Sequence, residues 1–412
     1  ACLMFENIIR QEASSLLEND IRSSSLPGAF LFYGPPSSGK LSCALECARV
    51  FSCTGEEKGA WQCTCPSCLR HKALVHQNTI LAGPRDCTLE IASCLAVFLS
   101  AHKKSASYER SARYLFLRSV RKLTMRFNPV VWQDDDKLSK IAPVIASIDE
   151  YMETIDFPHE LPDAETLEKT CGEIQKLCRK LESDFLPDAI PIKHIRAVSA
   201  WAHIKSSEGK KTVVLENAER MNESARNALL KILEEPPEDA VFILMTEKRS
   251  SVMPTILSRV RPYRFRERTE AEQLEVVRRI FHDDAWNGTL GEYFETFLSV
   301  APEKIRDCAA SFFKSVASNA IPDCAKILKD CASFEPRLMF RIFLDGIARA
   351  QKPLVKSASG AESSAECMAS LRECWLAVSV YNESPLAALE NLTRTLFKIN
   401  KTHDFVFKAA YE

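Results

Sequence analysis

The chain has 412 residues, 46% of them hydrophobic and 26% charged, with a formal net charge of −1. That length suits two to three domains with ordinary cores, and near-neutrality argues against a surface that wraps nucleic acid along its whole face, so any such contact is expected to be local or shared with partners. No run of about 18 apolar residues suggests a membrane span, and no secretory pattern marks the first residues, so a cytoplasmic location without membrane attachment is expected.

Residues 29–33 (Ala-Phe-Leu-Phe-Tyr) form a short apolar run ending at Gly34, which predicts a buried strand followed by a loop. Similar runs occur at Thr79–Ala82, Thr212–Leu215 and Val241–Met245, with helical periodicity between them. Buried strands alternating with helices predict a largely parallel sheet covered on both faces. After about Arg266 only helical patterns remain, such as Glu270–Phe281 and Pro385–Phe397. An all-helical part is therefore expected to follow the α/β part. Ser357–Glu366, rich in Ser, Ala and Gly, reads as a flexible loop.

Gly34-Pro-Pro-Ser-Ser-Gly-Lys40 stands between the first strand and a helix starting near Leu41. The spacing and setting match a phosphate-binding loop. Gly34, Pro35, Ser38 and Gly39 would shape the backbone cradle, Lys40 would neutralise phosphate charge, and the helix N-terminus would add its dipole. The position after the lysine should carry a hydroxyl for Mg²⁺, but here it is Leu41. Ser42 lies about 100° further around the helix. A carboxylate pair should follow another strand. The candidate reads Glu216-Asn217, where Glu216 could approach a metal and Asn217 cannot act as a base. Two readings stand: retained binding of ATP and Mg²⁺, or a loop kept as architecture.

The sequence holds sixteen cysteines. Most are scattered at apolar positions, as Cys171 and Cys178 are, and read as buried thiols. Cys53, Cys63, Cys65 and Cys68 instead cluster among Gly, Thr and Pro. Four thiolates suit tetrahedral structural zinc. The single residue between Cys63 and Cys65 makes a simple knuckle harder to build, so His71 or His76 is a possible substitute for Cys63. A Cys65/Cys68 redox pair is the competing reading, without its usual βαβ setting.

Residues 87–187 interrupt the α/β alternation with candidate helices Leu89–Ala101, Tyr108–Met125 and Ala164–Leu181. The first half is basic from Lys103 to Arg126. It reads as a solvated helix face, with phosphate contact to DNA as the alternative.

Asn227-Ala-Leu-Leu-Lys-Ile-Leu-Glu-Glu-Pro-Pro237, then Val241–Thr246, then Pro254-Thr-Ile-Leu-Ser-Arg259 resemble the bacterial DNA polymerase III clamp-loader family of gamma/tau and delta-prime subunits, within the AAA+ ATPases. Phe5–Gln11 and Tyr381–Glu390 fit the same pattern, as does the place of the cysteine module. The resemblance covers everything but 87–187. It implies a P-loop (AAA+) domain with a parallel sheet over 1–266, with the zinc module at about 53–76 and the insertion at about 87–187. A small helical lid over 267–311 and an all-α collar over 312–412 would follow.

The resemblance also implies that Arg259 reaches the ATP site of a neighbouring subunit and that Thr246 is a nucleotide-sensing position. Partners would be gamma/tau-like and delta-like subunits through the collar, the sliding clamp indirectly, and primer–template DNA through the complex. The altered metal positions beside an intact arginine match delta-prime most closely, so little or no intrinsic hydrolysis is expected. A gamma/tau-type motor is the alternative. Asn222 is expected to cap the helix at 223–235.

Overall fold

The computed structural model describes residues 4–83, 87–187, 189–206, 208–379, 381 and 383–411. It divides into two compact units, Ala1–Tyr293 and Phe294–Glu412.

The first unit is built on five parallel strands: β1 (Ala29–Tyr33), β2 (Thr79–Ala82), β3 (Lys211–Leu215), β4 (Ala240–Thr246) and β5 (Arg261–Arg264). Their order across the sheet is β2-β3-β4-β1-β5. The first four strands are apolar runs buried almost throughout, as strands covered on both faces must be. Arg-Pro-Tyr-Arg of β5 escaped the sequence reading because only Tyr263 is buried. A proline and two arginines suit a sheet edge, where one ladder of hydrogen bonds stays unpaired.

Register sets the geometry of the site. Tyr33 of β1 lies beside Thr246 of β4, and Leu215 of β3 lies beside Leu244. The loops after β1, β3 and β4 therefore meet at the carboxyl ends of adjacent strands, the usual ligand edge of an open parallel sheet.

The helices of this unit are α1 (Glu12–Arg22), α2 (Lys40–Phe51), α3 (Pro66–Lys72), α4 (Thr88–Lys103), α5 (Glu109–Thr124), α6 (Pro129–Trp132), α7 (Leu138–Ile155), α8 (Ala164–Phe185), α9 (Ile192–His203), α10 (Glu223–Glu234), α11 (Pro254–Leu257), α12 (Glu270–Val276) and α13 (Leu290–Glu295), which ends just past the boundary. The expected insertion is helical, as α4 to α8. Asn222 caps α10, its Oδ1 accepting the Ala225 N–H at 2.8 Å. The helix predicted over Glu270–Phe281 loosens after α12 into a π turn, Val277–Phe281.

The second unit is entirely helical among the described residues: α14 (Pro302–Ala317), α15 (Cys324–Asp330), α16 (Leu338–Ala350), α17 (Ala358–Ser379) and α18 (Pro385–Thr402), joined by short 3₁₀ turns. It has its own core, including Phe312, Phe313, Phe340 and Leu396. Helix α14 runs unbroken through position 311, where the lid and collar were expected to divide. Of the expected Tyr381–Glu390 motif, Asn382 lies outside the described residues, and Pro385 opens α18.

The expected loop at 357–366 is instead the start of α17. Ser357 Oγ accepts the Gly360 N–H at 3.1 Å, as an N-cap does. A Cβ at Gly360 would come within 2.0 Å of the Leu354 carbonyl, so its glycine serves close packing rather than flexibility.

Candidate functional site

The expected phosphate loop, residues 34–40, turns tightly between β1 and α2. Ser37 and Gly39 take positive φ, and Gly39 sits left-handed at the N-cap of α2. A Cβ at Gly34 would meet the Phe265 carbonyl oxygen at 2.0 Å, so only glycine fits beside β5.

Lys40 points back into its own loop. Its Nζ donates to Gly34 O at 2.6 Å, Pro35 O at 2.5 Å and Ser38 Oγ at 3.3 Å. Ser38 Oγ in turn donates to Pro35 O at 2.8 Å. Burial pulls the Lys40 ammonium down to about 8, against the opposing charges of Glu247, Glu219 and Glu216.

The buried Arg268 braces the loop from outside. It donates to Ser37 O at 2.9 Å and to Ile9 O at 3.1 and 3.0 Å, and burial lowers its pKa. No motif pointed to it, because an arginine just past an edge strand reads locally as a surface residue.

Glu216 follows β3 as expected, its N–H bonded to Ala82 O of β2 at 2.9 Å. Its carboxylate is paired with Arg126, which comes from the end of the basic helical segment. Arg126 is 5% exposed. Burial works against its charge, and Cys87, Glu216 and Glu182 hold it above the ordinary arginine value. Arg126 also donates to Lys122 O, and its own carbonyl accepts the Trp132 indole N–H at 2.7 Å.

This corrects the reading of the basic run as a solvated face. Arg113 donates to Ile155 O, Asp156 O and His159 O, each at 2.7 Å. Arg118 reaches Lys72 O, Arg121 pairs with Asp156, and Lys122 with Glu90. Most of these charges tie the inserted helices together and to the sheet unit. Lys103, Lys104 and Arg110 of the run stay exposed.

Thr246 is buried at the end of β4. Its carbonyl accepts the Gly34 N–H at 3.2 Å, while its hydroxyl donates to Lys248 O at 3.1 Å and accepts the Lys248 N–H at 3.2 Å. Asn217 turns the chain with φ of 48°. Arg259 follows α11, two residues past its end, and is partly exposed. It donates to Glu234 Oε1 at 2.6 Å and to Thr255 O at 2.7 Å. The sheet thus brings together Gly34, Pro35, Ser38, Gly39, Lys40, Glu216 and Thr246. Their polar groups are largely spent on the protein itself. These groups do not fit Mg²⁺-dependent ATP hydrolysis: Leu41 offers no hydroxyl, Glu216 is paired with Arg126, and Asn217 has no ionisable group.

The four clustered cysteines present the opposite case. Their Sγ atoms all lie within 4.8 Å of one another. Cys53 and Cys63 sulfurs are 3.7 Å apart. Four sulfurs ~2.3 Å from a tetrahedral metal would be spaced about 3.8 Å, so the set fits Zn²⁺. The short Cys63–Cys65 step is accommodated by Gly55. A Cβ there would lie 2.5 Å from Cys63 Sγ. Cys65 caps α3, its sulfur accepting the Cys68 N–H at 3.4 Å, and Pro66 opens the helix. Burial opposes the Cys65 thiolate, but hydrogen bonds from Thr54 and Cys68 outweigh it and lower the thiol to about 6.

The suggested histidine substitutes are not in the cluster. His71 and His76 stack on each other with ring centroids 3.9 Å apart, and burial lowers His71 to about 3. Cys63 takes the place itself.

The chain matches the family described as "DNA polymerase III, delta subunit" over residues 9–127 and 157–269, more than half its length. It belongs to this clamp-loader family. The match covers α4, α5 and all of α8, and skips only 128–156 between its two segments. The expectation that all of 87–187 lies outside the family is therefore corrected. Arg126, just past α5, joins this segment to the end of β3 through Glu216.

A 102-residue segment is 55% identical to DNA polymerase III subunit delta′ of Pseudomonas aeruginosa, covering 22% of this chain and 30% of that protein. The subunit delta′ of Haemophilus influenzae is 32% identical over 103 residues, 22% of this chain and 31% of the relative. The gamma/tau subunit of Mycobacterium bovis is 45% identical over 53 residues, 13% and 9% of the two chains. The chain thus spans about a third of the length of the delta′ relatives it matches. A solved gamma subunit-related protein of DNA polymerase III from Thermotoga maritima is similar at 20% identity and a TM-score of 0.26, over 56% of this chain and 90% of that one. The fold rests on the strand order rather than on that likeness.

Proposed function

We propose that this family member is a delta-prime-like subunit that contributes geometry and one arginine to a clamp loader and hydrolyses little or no ATP itself. The observation that carries this reading is the Arg126–Glu216 pair: the one carboxylate kept at the metal position of β3 already holds an internal cation. Leu41 and Asn217 point the same way. A gamma/tau-type motor would need a free carboxylate and a hydroxyl for Mg²⁺.

In this reading Arg259 works in trans. Its salt bridge to Glu234 holds the guanidinium partly exposed just past α11, where a neighbouring subunit's nucleotide could receive it. An arginine supplied to a phosphoryl-transfer site contributes about 10³-fold or more in rate. The helices after residue 267 would supply the lid and, with α14 onward, the collar, the collar joining gamma/tau-like and delta-like subunits. The sliding clamp and primer–template DNA would be met through the assembled complex, in the cytoplasm. The four cysteines would hold structural zinc. With four protein ligands no position stays open for catalysis.

The test is reconstitution of the complex with the Arg259→Ala chain. Complex ATPase is expected to fall at least tenfold with assembly intact, and unchanged ATPase would sink the trans role. Equilibrium binding of ATP to the isolated chain, with and without Mg²⁺, is expected to show no magnesium enhancement. A clear enhancement would favour the motor reading.

A further inference from the structure

Helix α2 is apolar on nearly every side, with Cys43, Ala44, Leu45, Cys47, Ala48, Val50 and Phe51 buried. Inside that run stands one ion pair, Glu46 and Arg49, with side chains 3% and 2% exposed. A buried pair of this kind is weak evidence for stability, because desolvation offsets the attraction. Its retention calls for another reason, and the hydrogen bonds supply one.

Arg49 uses all five of its N–H donors. Nε donates to Glu46 Oε1 at 2.9 Å and Oε2 at 3.0 Å. Nη2 donates to Glu46 Oε1 at 2.5 Å and Gly59 O at 2.8 Å. Nη1 donates to Ala60 O at 3.0 Å and to Cys68 Sγ at 3.0 Å. One guanidinium therefore joins the phosphate-loop helix, the 59–60 turn and a sulfur of the cysteine cluster. Glu46 fixes the plane of the fork, and the two carbonyls fix its reach. Four thiolates around a divalent cation carry a net charge of −2, and a fixed cation on one sulfur offsets part of it. Groups that bond to metal ligands in this way orient them and tune affinity.

We propose that Arg49 is a positioning residue for the metal held by Cys53, Cys63, Cys65 and Cys68, and that through it metal loading is coupled to the order of α2. This rests on the zinc reading above. A Lys at 49 has three rotatable donors and no fixed fork, so it would keep the charge and lose part of the bridging.

The full-length chain carries the test, with Zn²⁺ itself as the probe. In Arg49→Met, zinc affinity measured by chelator competition is expected to fall about 10–100-fold. That variant leaves Glu46 buried and unpaired, which by itself threatens folding. The companion Glu46→Leu/Arg49→Met removes both charges, and it too should lose at least tenfold in affinity. Its Co²⁺-substituted form should show a shifted sulfur-to-cobalt charge-transfer band, a signature that a purely structural anchor would not move. Arg49→Lys should recover part of the affinity. In the wild type, chelation of zinc should raise amide hydrogen exchange across 40–51 together with 53–72. Wild-type affinity and an unshifted cobalt band in the double variant overturn the inference while leaving zinc in place. A wild-type chain that takes up no zinc overturns the metal reading and this inference with it.

Discussion

The phosphate loop and the cysteine cluster are joined by one helix, yet they spend their polar groups in opposite ways. Around the loop, Lys40 bonds to the Gly34 and Pro35 carbonyls, Ser38 to Pro35, Thr246 to Lys248, and Glu216 to Arg126. At the cluster, four sulfurs converge within 4.8 Å, and among the described residues they form a group that could hold a metal. A site prepared for a ligand leaves donors or acceptors facing one another across a gap that only the ligand fills. A site kept as scaffold closes its polar groups on themselves, because a buried group left unpaired costs about 1–3 kcal/mol.

Removing the metal should produce the largest effect. Cys68→Ser is expected to reduce bound zinc from about one per chain to near zero and to lower the thermal midpoint by several degrees. Metal binding to such sites is itself folding free energy. Elemental analysis with calorimetry checks this, and a variant that unfolds like the wild type would make the two regions alike.

Breaking the Arg126–Glu216 pair comes next. Arg126→Met should destabilise the chain by up to about 3 kcal/mol, since Glu216 is left partly buried beside an apolar side chain. Glu216→Leu/Arg126→Met should recover most of that in denaturant unfolding. If Arg126→Met alone were neutral, Glu216 would be free to take a cation, and the contrast between the regions would weaken.

Lys40 gives a smaller, pH-dependent effect. Its pKa of about 8 in the folded chain lies below the usual ~10.4 of an unfolded lysine. Below about pH 8 both states hold the proton, and the cost of burying it is constant. Between about pH 8 and ~10.4 the unfolded chain holds a proton that the folded chain has shed, so stability should rise with pH. Lys40→Met should flatten that slope in urea titrations at pH 7 to 10. A slope unchanged by the substitution would assign it to other groups.

Arg259→Ala should be the mildest change in the isolated chain, at most ~1 kcal/mol, because its ion pair with Glu234 is solvent-exposed. Its effect should appear only in the ATPase of the assembled complex.

Local pattern was a good guide where local physics decides. The strand–loop–helix around Gly34–Lys40, the Asn222 cap and the insertion's helices follow from periodicity, glycine positions and capping chemistry. The edge strand β5 and the start of α17 were missed. One is a strand without an apolar run, and in the other a glycine chosen for close approach resembles a glycine chosen for flexibility. The Glu46–Arg49 pair did leave a trace: two charges three residues apart inside an otherwise apolar helix, a pattern that suits a buried and fully bonded ion pair better than a solvated face.

The sequence alone points to the clamp-loader family and carries Leu41, Asn217 and a cysteine quartet in plain view. Leu41 and Asn217 are chemical facts that no packing can change. Only the tertiary structure decided the rest. Glu216 meets Arg126 across ninety residues of chain, and Gly55 makes room for the Cys63 sulfur. A charge reads the same in sequence whether it faces water or a buried carboxylate. The difference lies in desolvation and long-range partners, which exist only once the chain has folded.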